Sequence, residues 1–583
     1  MENKSVFLKN SAYSKSLSLP ISNVALFVSK NGTDIAGNIF RLIQELVSGD
    51  YGELTIVLAY THEAKKRIVA ILKRYNLFKM TNLVEYDTNK FFSILGRAKY
   101  FITDCFIPFE YIKRENQILV STSHGTPIKK MGRDCTTEAQ GLIQNTHILA
   151  DYQTYSSDYM FEKLFSAFME KDLFKGHALK SGYARNCIFF NSERSQQVKE
   201  ELNINSLIAY AYLPTFRGTA ASFNNIEQID DVVKYCDELD QLMDDNEILF
   251  VKLHNFNKEK INFSNYKHIC AFPEDYEVYD VLNAMDGLIT DYSSVLFDFA
   301  VSKKKIILFQ YDSEDYNKTR GTYLDLKQLP FPIVDTVESL YKEISTPKNY
   351  DDSEFYSIYC QYESPNATRN ICRTIFLNSP SCQEFCIPKK SKKNIFVYAG
   401  KGIPDTIETL KIYDYLATFD AGKYNFFLFF YEYDFLKKQC LINTLPSQMQ
   451  YFSHLCNPVW TYEELDTVIN SSSKSKKDKA WESLFKHEAQ RWFQNLSIDA
   501  FIDLYGKDEH LLNVLKHSDK SMKKIVLLDR KIKNYQSFCD SFDIILCYGK
   551  YCGINEKHKV EIQPEVNQIN IITNCKIIEE VCN

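Results

Sequence analysis

Residues 286–304, DGLITDYSSVLFDFAVSKK, predict a β-strand, a tight turn and an α-helix in direct succession. Ser293 or Ser294 is suited to the N-cap, since a hydroxyl accepts a hydrogen bond from a free amide of the first turn. The free amides and partial positive charge of a helix start also suit a diphosphate. Asp298 lies one turn beyond Ser294, where its carboxylate can reach a ribose or polyol hydroxyl. On this stretch alone, a plain capped helix with an exposed aspartate is the simpler interpretation.

Strands alternate with helical patterns along the whole chain, in three series. The first series covers residues 1–200, the second covers 201–377, and the third covers 394–583, with a linker at 378–393. The predicted strands are the apolar runs NVALFVSK, LTIVLAY, KYFITD and QILVSTS, then LIAYAYLP, EILFVKLH, DGLITD and KIILFQY, then NIFVYAG, YNFFLFFY, SIDAFIDLYG, KIVLLDR and DIILCYG. This alternation is typical of parallel sheets covered by helices on both faces, so the sequence predicts an α/β protein.

Length and composition narrow the class of protein. A chain of 583 residues exceeds one core and predicts roughly three or four domains. The net charge of -6 supplies no overall positive field, so nucleic acid is not an expected partner. No signal-peptide pattern follows Met1, and no apolar run reaches the roughly 18 residues of a membrane span. We expect a cytosolic protein with reduced thiols, in which Cys382 and Cys386 are free cysteines of the linker.

Polar side chains follow three neighbouring strands of the second series. Pro214 and Thr215 follow the first strand, Lys252 and His254 end the second, and the serine pair follows the third. Ligands bind outside the carboxyl ends of the strands in open parallel sheets. Hydroxyl, amine and imidazole groups donate to phosphate oxygens, so this edge predicts an anion site. A histidine at a strand end is more often structural, but its polar neighbours favour a functional role here.

His124 lies in ILVSTSHGTPIKK, residues 118–130, after a strand of the first series. Gly125 permits a tight backbone path, Pro127 stiffens the loop, and the basic residues that follow suit an anionic acceptor. Neutral imidazole removes a proton from a hydroxyl near neutral pH, so His124 is the candidate general base. If the two units face each other, His124 lies across a cleft from His254 and the serine pair. The alternative is a structural histidine with solvated lysines.

Six segments together carry a family resemblance. SHGTPIKKMGRD, SGYARN, YLPTFRG, KLH, ITDYSSVLFDFA and TRGTYLDL occur in this order, and the resemblance covers about residues 20–377. They resemble the CDP-glycerol glycerophosphotransferase family, which includes teichoic-acid primases and polymerases and related capsule polymerases. The resemblance implies a GT-B fold, with two facing Rossmann-like domains and the nucleotide between them. It implies transfer of a polyol phosphate, with glycerol phosphate expected first, from a CDP-polyol to a hydroxyl of a glycan or of a teichoic or capsular polymer, with release of CMP.

The resemblance also implies roles for individual residues. His124 and His254 are the implied catalytic histidines, with His124 as the base. The implied substrate contacts are Ser123, Gly125, Thr126, Pro127, Arg185, Pro214, Thr215, Lys252, Leu253, Ser293, Ser294, Asp298 and Arg320. Two positions depart from the family pattern: Ser123 replaces a common tryptophan, and Lys252 replaces an arginine. A lysine contacts phosphate as a point charge rather than as a planar fork, so the departures bear on the choice of donor and acceptor.

The implied partners are CDP-glycerol or CDP-ribitol as donor and a lipid-linked or polymeric glycan as acceptor. Peripheral association with the inner face of the cell membrane follows from such an acceptor. No tightly bound cofactor or metal is expected, because fixed cations and helix amides can neutralise the diphosphate. The third series resembles the first half of a second glycosyltransferase-like domain. Two alternatives stay open: a GT-B hexosyltransferase that uses a nucleotide sugar, and a non-catalytic donor-binding subunit of a cell-surface polymer assembly complex.

Overall fold

Three α/β units, each built around one sheet, make up the protein. The computed structural model describes residues 2–135, 141–215, 226–252, 261–311, 321–388, 392–400, 414, 416–431, 449–454, 457–493, 495–528, 542–548 and 559–562. The predicted α/β class and the predicted third α/β unit are confirmed.

The first sheet has eight strands in the order β14-β7-β6-β5-β4-β1-β2-β3. Its strands are β1 Ser22–Val28, β2 Thr55–Tyr60, β3 Thr81–Glu85, β4 Ala98–Thr103, β5 Ile118–Ser121, β6 Tyr152–Tyr155, β7 His177–Lys180 and β14 Gln383–Glu384. All pairs are parallel except the edge pair of β14 with β7. The α-helices in this part of the chain are Glu2–Leu17, Asn38–Ser48, Lys65–Arg74, Asn89–Leu95, Gly141–Leu149, Asp158–Ala167 and Ser192–Glu201.

The second sheet has six parallel strands in the order β10-β9-β8-β11-β12-β13. Its strands are β8 Ile208–Leu213, β9 Glu247–Val251, β10 Ile269–Ala271, β11 Gly287–Thr290, β12 Lys305–Phe309 and β13 Ile333–Val334. The α-helices that follow in this part of the chain are Ile226–Leu242, Val278–Ala284, Val295–Ala300, Val337–Ile344, Ser353–Tyr359 and Ala367–Phe376.

The third sheet has seven parallel strands in the order β17-β16-β15-β18-β19-β20-β21. Its strands are β15 Lys393–Tyr398, β16 Tyr424–Tyr431, β17 Met449–His454, β18 Ala500–Asp503, β19 Lys523–Leu528, β20 Ile544–Tyr548 and β21 Lys559–Ile562. Its described α-helices are Tyr462–Asn470, Lys474–Phe493 and Glu509–Lys516.

All three sheets share one strand order. In each, the first strand lies between the second and the fourth, and the fifth and sixth follow on the side of the fourth. The chain therefore reverses direction across the sheet between the first and fourth strands. A crevice opens at the carboxyl ends of these two strands, which is where open parallel sheets bind ligands.

Alternate residues of the central strands fall into opposite cores. Leu26 and Phe101 join the core on one face of the first sheet, whereas Phe27 and Ile102 join the core on the other face. All four side chains are fully buried. Because both faces are covered, the strands appear in the sequence as continuous apolar runs rather than as alternating patterns.

Two segments differ from the expected domain boundaries. The predicted linker 378–393 contributes the edge strand β14, and the amide of Phe385 donates to the carbonyl of Ala178 at 2.9 Å. The helix Ala367–Phe376 packs on the first unit, where Ile371 and Ile375 are buried in the same core as Phe27. The apolar face of this helix finds its partner far back in the chain, which no local pattern reveals.

The third unit is docked on the first by polar contacts. Gln144 Nε2 donates to the carbonyl of Tyr451 at 3.0 Å, and Arg491 donates to the carbonyl of Phe109 at 3.2 Å. Arg491 also pairs with Glu488 at 2.6 Å, and both side chains are buried. Both residues belong to the helix Lys474–Phe493, so the pair holds in place the arginine that ties this helix to the carbonyl of Phe109 in the first unit.

The described residues bear on two expectations from the sequence, which concern membrane-spanning helices and free cysteines. No helix there is long and apolar enough to cross a membrane. Nine cysteines whose side chains are described are free thiols, including Cys382 and Cys386.

Replacing Arg491 with leucine should destabilise the third unit. The substitution leaves the fully buried Glu488 carboxylate without its cation, a loss of about 3–5 kcal/mol in free energy of unfolding. Lys486→Leu is the matched control, because the Lys486–Glu482 pair is exposed and such pairs contribute about 1 kcal/mol or less.

Tryptophan fluorescence isolates this transition from the rest of the protein. The 3 tryptophans of the chain are Trp460, Trp481 and Trp492, and all belong to the third unit. Denaturant unfolding followed by this signal should shift strongly for Arg491→Leu and little for Lys486→Leu. Equal shifts in the two variants would contradict the assignment of Arg491.

Candidate active site

Two buried aspartates at strand ends organise the cleft between the first and second units. Asp104 follows β4 and accepts hydrogen bonds from the Ser29 hydroxyl (2.8 Å) and the Lys30 amide (2.7 Å), in the loop after β1. Asp291 follows β11 and accepts the amide of Thr215 at 2.9 and 3.0 Å, in the loop after β8. In each unit, a carboxylate after the fourth strand therefore fixes the loop after the first strand.

The backbone around His124 is held by three hydrogen bonds. Ser123 has a φ of +51°, in the left-handed region that non-glycine residues rarely adopt. Asn38 Nδ2 donates to the carbonyls of Thr122 (3.2 Å) and Ser123 (3.3 Å), and Arg185 Nη1 donates to the carbonyl of His124 (3.0 Å). This turn directs the His124 side chain into the cleft, where it is exposed.

Arg185 and Asp298 form a buried bidentate pair behind the His124 loop. Nε of Arg185 lies 2.9 Å from Oδ1 of Asp298, and Nη2 lies 3.1 Å from Oδ2. Burial raises the pKa of Asp298, and the charge of Arg185 opposes that shift. Since Asp298 belongs to the helix Val295–Ala300 of the second unit, the pair links the two units.

Arg185 and Asp298 are both expected to contact the donor substrate, and the structure pairs them with each other instead. Asp298 is 2% exposed and both of its oxygens are bonded to Arg185, so its carboxylate is not open to a ligand hydroxyl. Arg185 is 4% exposed, and its guanidinium stabilises the His124 loop instead of lining the cavity. Asp298 lies one helical turn after Ser294, as the spacing predicts, and Arg185 occupies its carboxylate.

The two units approach each other closely at Gly125. A β-carbon placed on Gly125 would lie 2.5 Å from Oγ of Ser294, so a larger residue would require the Ser294 side chain to move. Elsewhere in the interface, Arg41 of the first unit pairs with Glu277 (3.2 Å) and Asp280 of the second. All three charged groups are buried, so the facing arrangement is fixed by charge-assisted hydrogen bonds as well as by packing.

A cavity of about 370 Å³ opens between the two units. Its lining includes eight of the predicted site residues: Ser123, His124, Gly125, Thr126, Pro127, Thr215, Ser293 and Ser294. The imidazole and the serine pair therefore share one concave space of the size that small ligands occupy.

The serines are placed differently from a standard N-cap. Ser294 occupies the N-cap position, but its side chain makes no capping hydrogen bond. Oγ of Ser293 accepts the amide of Val295 at a long 3.5 Å. Neither serine hydroxyl therefore makes a strong capping hydrogen bond to the helix, and both serines border the cavity.

The electrostatic surroundings of His124 favour the neutral imidazole. Although the ring is exposed to the cleft, the surrounding protein displaces part of its hydration, and this desolvation lowers the pKa of His124 below its usual 6.5. The charges of Arg185 and Lys30 add to this shift. The carboxylate and the backbone carbonyl of Asp104 oppose it, since both favour the protonated ring. The net shift is downward, so the ring is available to accept a proton near neutral pH.

Two further predicted residues, Pro214 and Lys252, are described and lie outside the cavity lining. Pro214 follows β8, and Lys252 follows β9. Although burial alone would raise the pKa of Asp34, in the loop after β1, the charges of Lys30, Arg67 and Lys252 lower it. Leu253, His254 and Arg320 lie outside the described residues, and their roles stay predictions. Among the residues that are described, no three His, Cys, Asp or Glu side chains are grouped to hold a metal ion, and the expected absence of a metal stays a prediction.

The sequence analysis did not assign Asp104 or Asp291 to the site. A signal for them exists, because Ile-Thr-Asp occurs at 102–104 and again at 289–291, each time at the end of a fourth strand. The repeated triplet marks equivalent positions in the two sheets. Its meaning depends on knowing that the first strand of each sheet is the neighbour of the fourth.

Comparisons with known proteins agree with this geometry. The family model described as CDP-Glycerol:Poly(glycerophosphate) glycerophosphotransferase matches residues 11–377. The chain is 31% identical over 300 residues to the teichoic acid poly(glycerol phosphate) polymerase of Bacillus spizizenii, which covers 48% of this chain and 74% of the relative. It is 28% identical over 390 residues to the teichoic acid glycerol-phosphate transferase of Staphylococcus aureus, with 61% and 94% covered.

A solved structure shows the same fold. The wall teichoic acid polymerase TagF superposes with a TM-score of 0.51 at 21% identity, covering 64% of this chain and 93% of TagF. The GT-B arrangement of two facing Rossmann-like units is therefore confirmed. Since the family model covers more than half of the 583 residues, this chain belongs to the CDP-glycerol:poly(glycerophosphate) glycerophosphotransferase family of enzymes.

Proposed function

We propose that this enzyme transfers glycerol phosphate from CDP-glycerol to a hydroxyl of a teichoic-acid-type or other glycan polymer and releases CMP. The observation that carries the proposal is the shared cavity, where His124 of the first unit faces Ser293 and Ser294 of the second. The matching family model supports glycerol phosphate as the transferred group. CDP-ribitol is the donor to test beside CDP-glycerol, because the resemblance leaves the polyol open.

In the proposed reaction, the acceptor hydroxyl attacks the phosphorus atom that bears glycerol. The bond from that phosphorus to the bridging oxygen breaks, and CMP leaves with the electron pair. His124 takes the proton of the attacking hydroxyl, a role that its lowered pKa supports. Arg185, held by Asp298, positions the backbone of His124 without contacting the substrate.

Charge neutralisation is divided between the two units in this proposal. Phosphoryl transfer depends mainly on positioning and on stabilisation of the phosphate oxygens. Ser293 and Ser294 donate hydroxyl hydrogen bonds to the diphosphate, and Lys252 and His254 supply positive charge. The Thr215 hydroxyl already donates to Asp291, so Thr215 contributes chiefly by holding the loop after β8.

A lipid-linked acceptor, and peripheral association of the enzyme with the membrane that carries it, form part of this proposal. The large exposed apolar side chains Val6, Leu8 and Leu19, in and just after the N-terminal helix, support contact with a lipid surface. Flotation with lipid vesicles tests this part separately from catalysis. Loss of flotation in a Val6→Ser, Leu8→Ser, Leu19→Ser variant is the expected result.

Replacing His124 with alanine should lower CMP release from CDP-glycerol by about 10²–10⁴-fold, the usual effect of losing a general base. His62→Ala is the control, because His62 is 86% exposed and far from any cavity lining. Chromatography of the products after incubation with CDP-glycerol, CDP-ribitol or a UDP-sugar and an acceptor measures rate and donor choice together. Near-normal turnover by folded His124→Ala would rule out His124 as the base.

The pH profile should report the lowered pKa of His124. A base works only when unprotonated, so kcat/KM should fall on the acid side with a midpoint below 6.5. Asp104→Asn removes a charge that raises this pKa, so the midpoint should move further toward acid. Asp291→Asn is the control, since Asp291 is also a buried strand-end aspartate and is not among the main groups that shift the pKa of His124. A midpoint that stays fixed in Asp104→Asn would contradict the electrostatic account.

A further inference from the structure

Most of the described residues that line the cavity belong to the first unit. Six of them are here called the inner chamber: Phe106, Met131, Ile143, His147, Leu164 and Phe168. From the described part of the second unit, the lining includes Thr215, Tyr292, Ser293 and Ser294. Because the second unit holds the nucleotide in the proposed reaction, the inner chamber is left for the other substrate.

His147 is the titratable side chain of the inner chamber. Its Nδ1 lies 3.1 Å from Oε1 of Glu170, and its ring stacks on Phe168 at 4.5 Å between centroids. Glu170 is fully buried and accepts a hydrogen bond from Gln153 Nε2 at 2.7 Å. The stacking on Phe168 and the close approach to Glu170 restrict the orientation of the ring, although Nδ1 and Oε1 do not form a hydrogen bond. Since Nδ1 is the nitrogen beside the carboxylate, Nε2 is the nitrogen left for a ligand.

The proposed phosphoryl transfer makes no use of this pair. A carboxylate with no solvent exposure costs free energy unless its partners repay the lost hydration. Gln153 donates a hydrogen bond to Glu170 and His147 lies beside it, and of these two side chains His147 lines the cavity. An imidazole among apolar side chains is typical of a small-molecule subsite, in which one polar group fixes the orientation of the ligand.

We propose that the inner chamber binds the terminal polyol unit of the acceptor, with a hydroxyl of that unit hydrogen-bonded to Nε2 of His147. The C–H groups of a polyol suit the side chains of Ile143, Leu164 and Phe168. A free anionic group is disfavoured beside the buried Glu170, and a long lipid chain does not fit in about 370 Å³. This inference rests on the proposed function, and it adds how the enzyme recognises the end of its acceptor.

The test is steady-state kinetics with CDP-glycerol and a short glycerol phosphate oligomer as the acceptor. His147→Gln should raise the KM for the oligomer about tenfold, the effect of losing one good hydrogen bond, and leave the KM for CDP-glycerol unchanged. Glu170→Gln should act in the same direction through His147, since it weakens the contact that orients the ring. His487→Gln is the matched control, because His487 lies 3.7 Å from Glu464 but outside the cavity.

A second variant tests whether a rise in KM in His147→Gln comes only from a structural change at that position. Ile143→Phe narrows the chamber and keeps both residues of the His147–Glu170 pair, and it should also raise the KM for the oligomer alone. Thermal unfolding of each variant identifies any loss of folded protein.

The outcomes separate this inference from the proposed function. If wild-type enzyme releases no CMP from CDP-glycerol with the oligomer, the proposed function fails. If wild-type enzyme is active and both His147→Gln and Ile143→Phe leave the KM for the oligomer unchanged, the chamber is not the acceptor subsite. An equal rise in the KM for CDP-glycerol would also overturn the inference, because it would place the donor in the chamber.

Discussion

The hydrogen bonds between a strand-end aspartate and the loop after the first strand determine the shape of the cleft. In a sheet of this order, the first and fourth strands are neighbours although they are distant in sequence. Asp104 and Asp291 bridge that crevice in the first and second units, and each fixes backbone amides or hydroxyls on the far side. Asp104 also acts on His124, so one buried carboxylate shapes the loop and adjusts the proposed base.

The third unit has the same strand order, with Asp503 at the end of its fourth strand, β18. Among the described residues, Asp503 accepts the amides of Tyr505 and Gly506 in its own turn. Its Oδ2 is buried with no hydrogen-bond partner in the described part of the chain, and burial raises its pKa to about 7. The third sheet thus shares the strand order of the first and also has an aspartate at the end of its fourth strand. Its described contacts tie it to the outside of the first unit.

The two catalytic halves are joined by buried charges rather than by apolar contact alone. The Arg185–Asp298 pair spans the cleft directly behind His124, and Arg41 spans it again at Glu277 and Asp280. Buried pairs of this kind contribute little net stability but are costly to break, so they favour one relative orientation of the units. The close approach of Gly125 to Ser294 depends on that orientation. The positions of the proposed base and of the proposed phosphate-binding serines are therefore consequences of the same interface.

The sequence by itself determined the class of fold, most of the strands, and the loops that border the cavity, because periodicity and the order of short motifs are local properties. It placed His124, Thr215 and the serine pair at strand ends, and the family followed from six segments in order. Only the tertiary structure decided that Asp298 holds Arg185, that the helix Ala367–Phe376 returns to the first unit, and that His147 borders the cavity. Each of these arrangements depends on a contact between residues more than 20 positions apart in the sequence, or on the way in which the first and second units face each other. The free energy that selects such partners comes from burial and charge pairing between distant segments, which a local pattern does not encode.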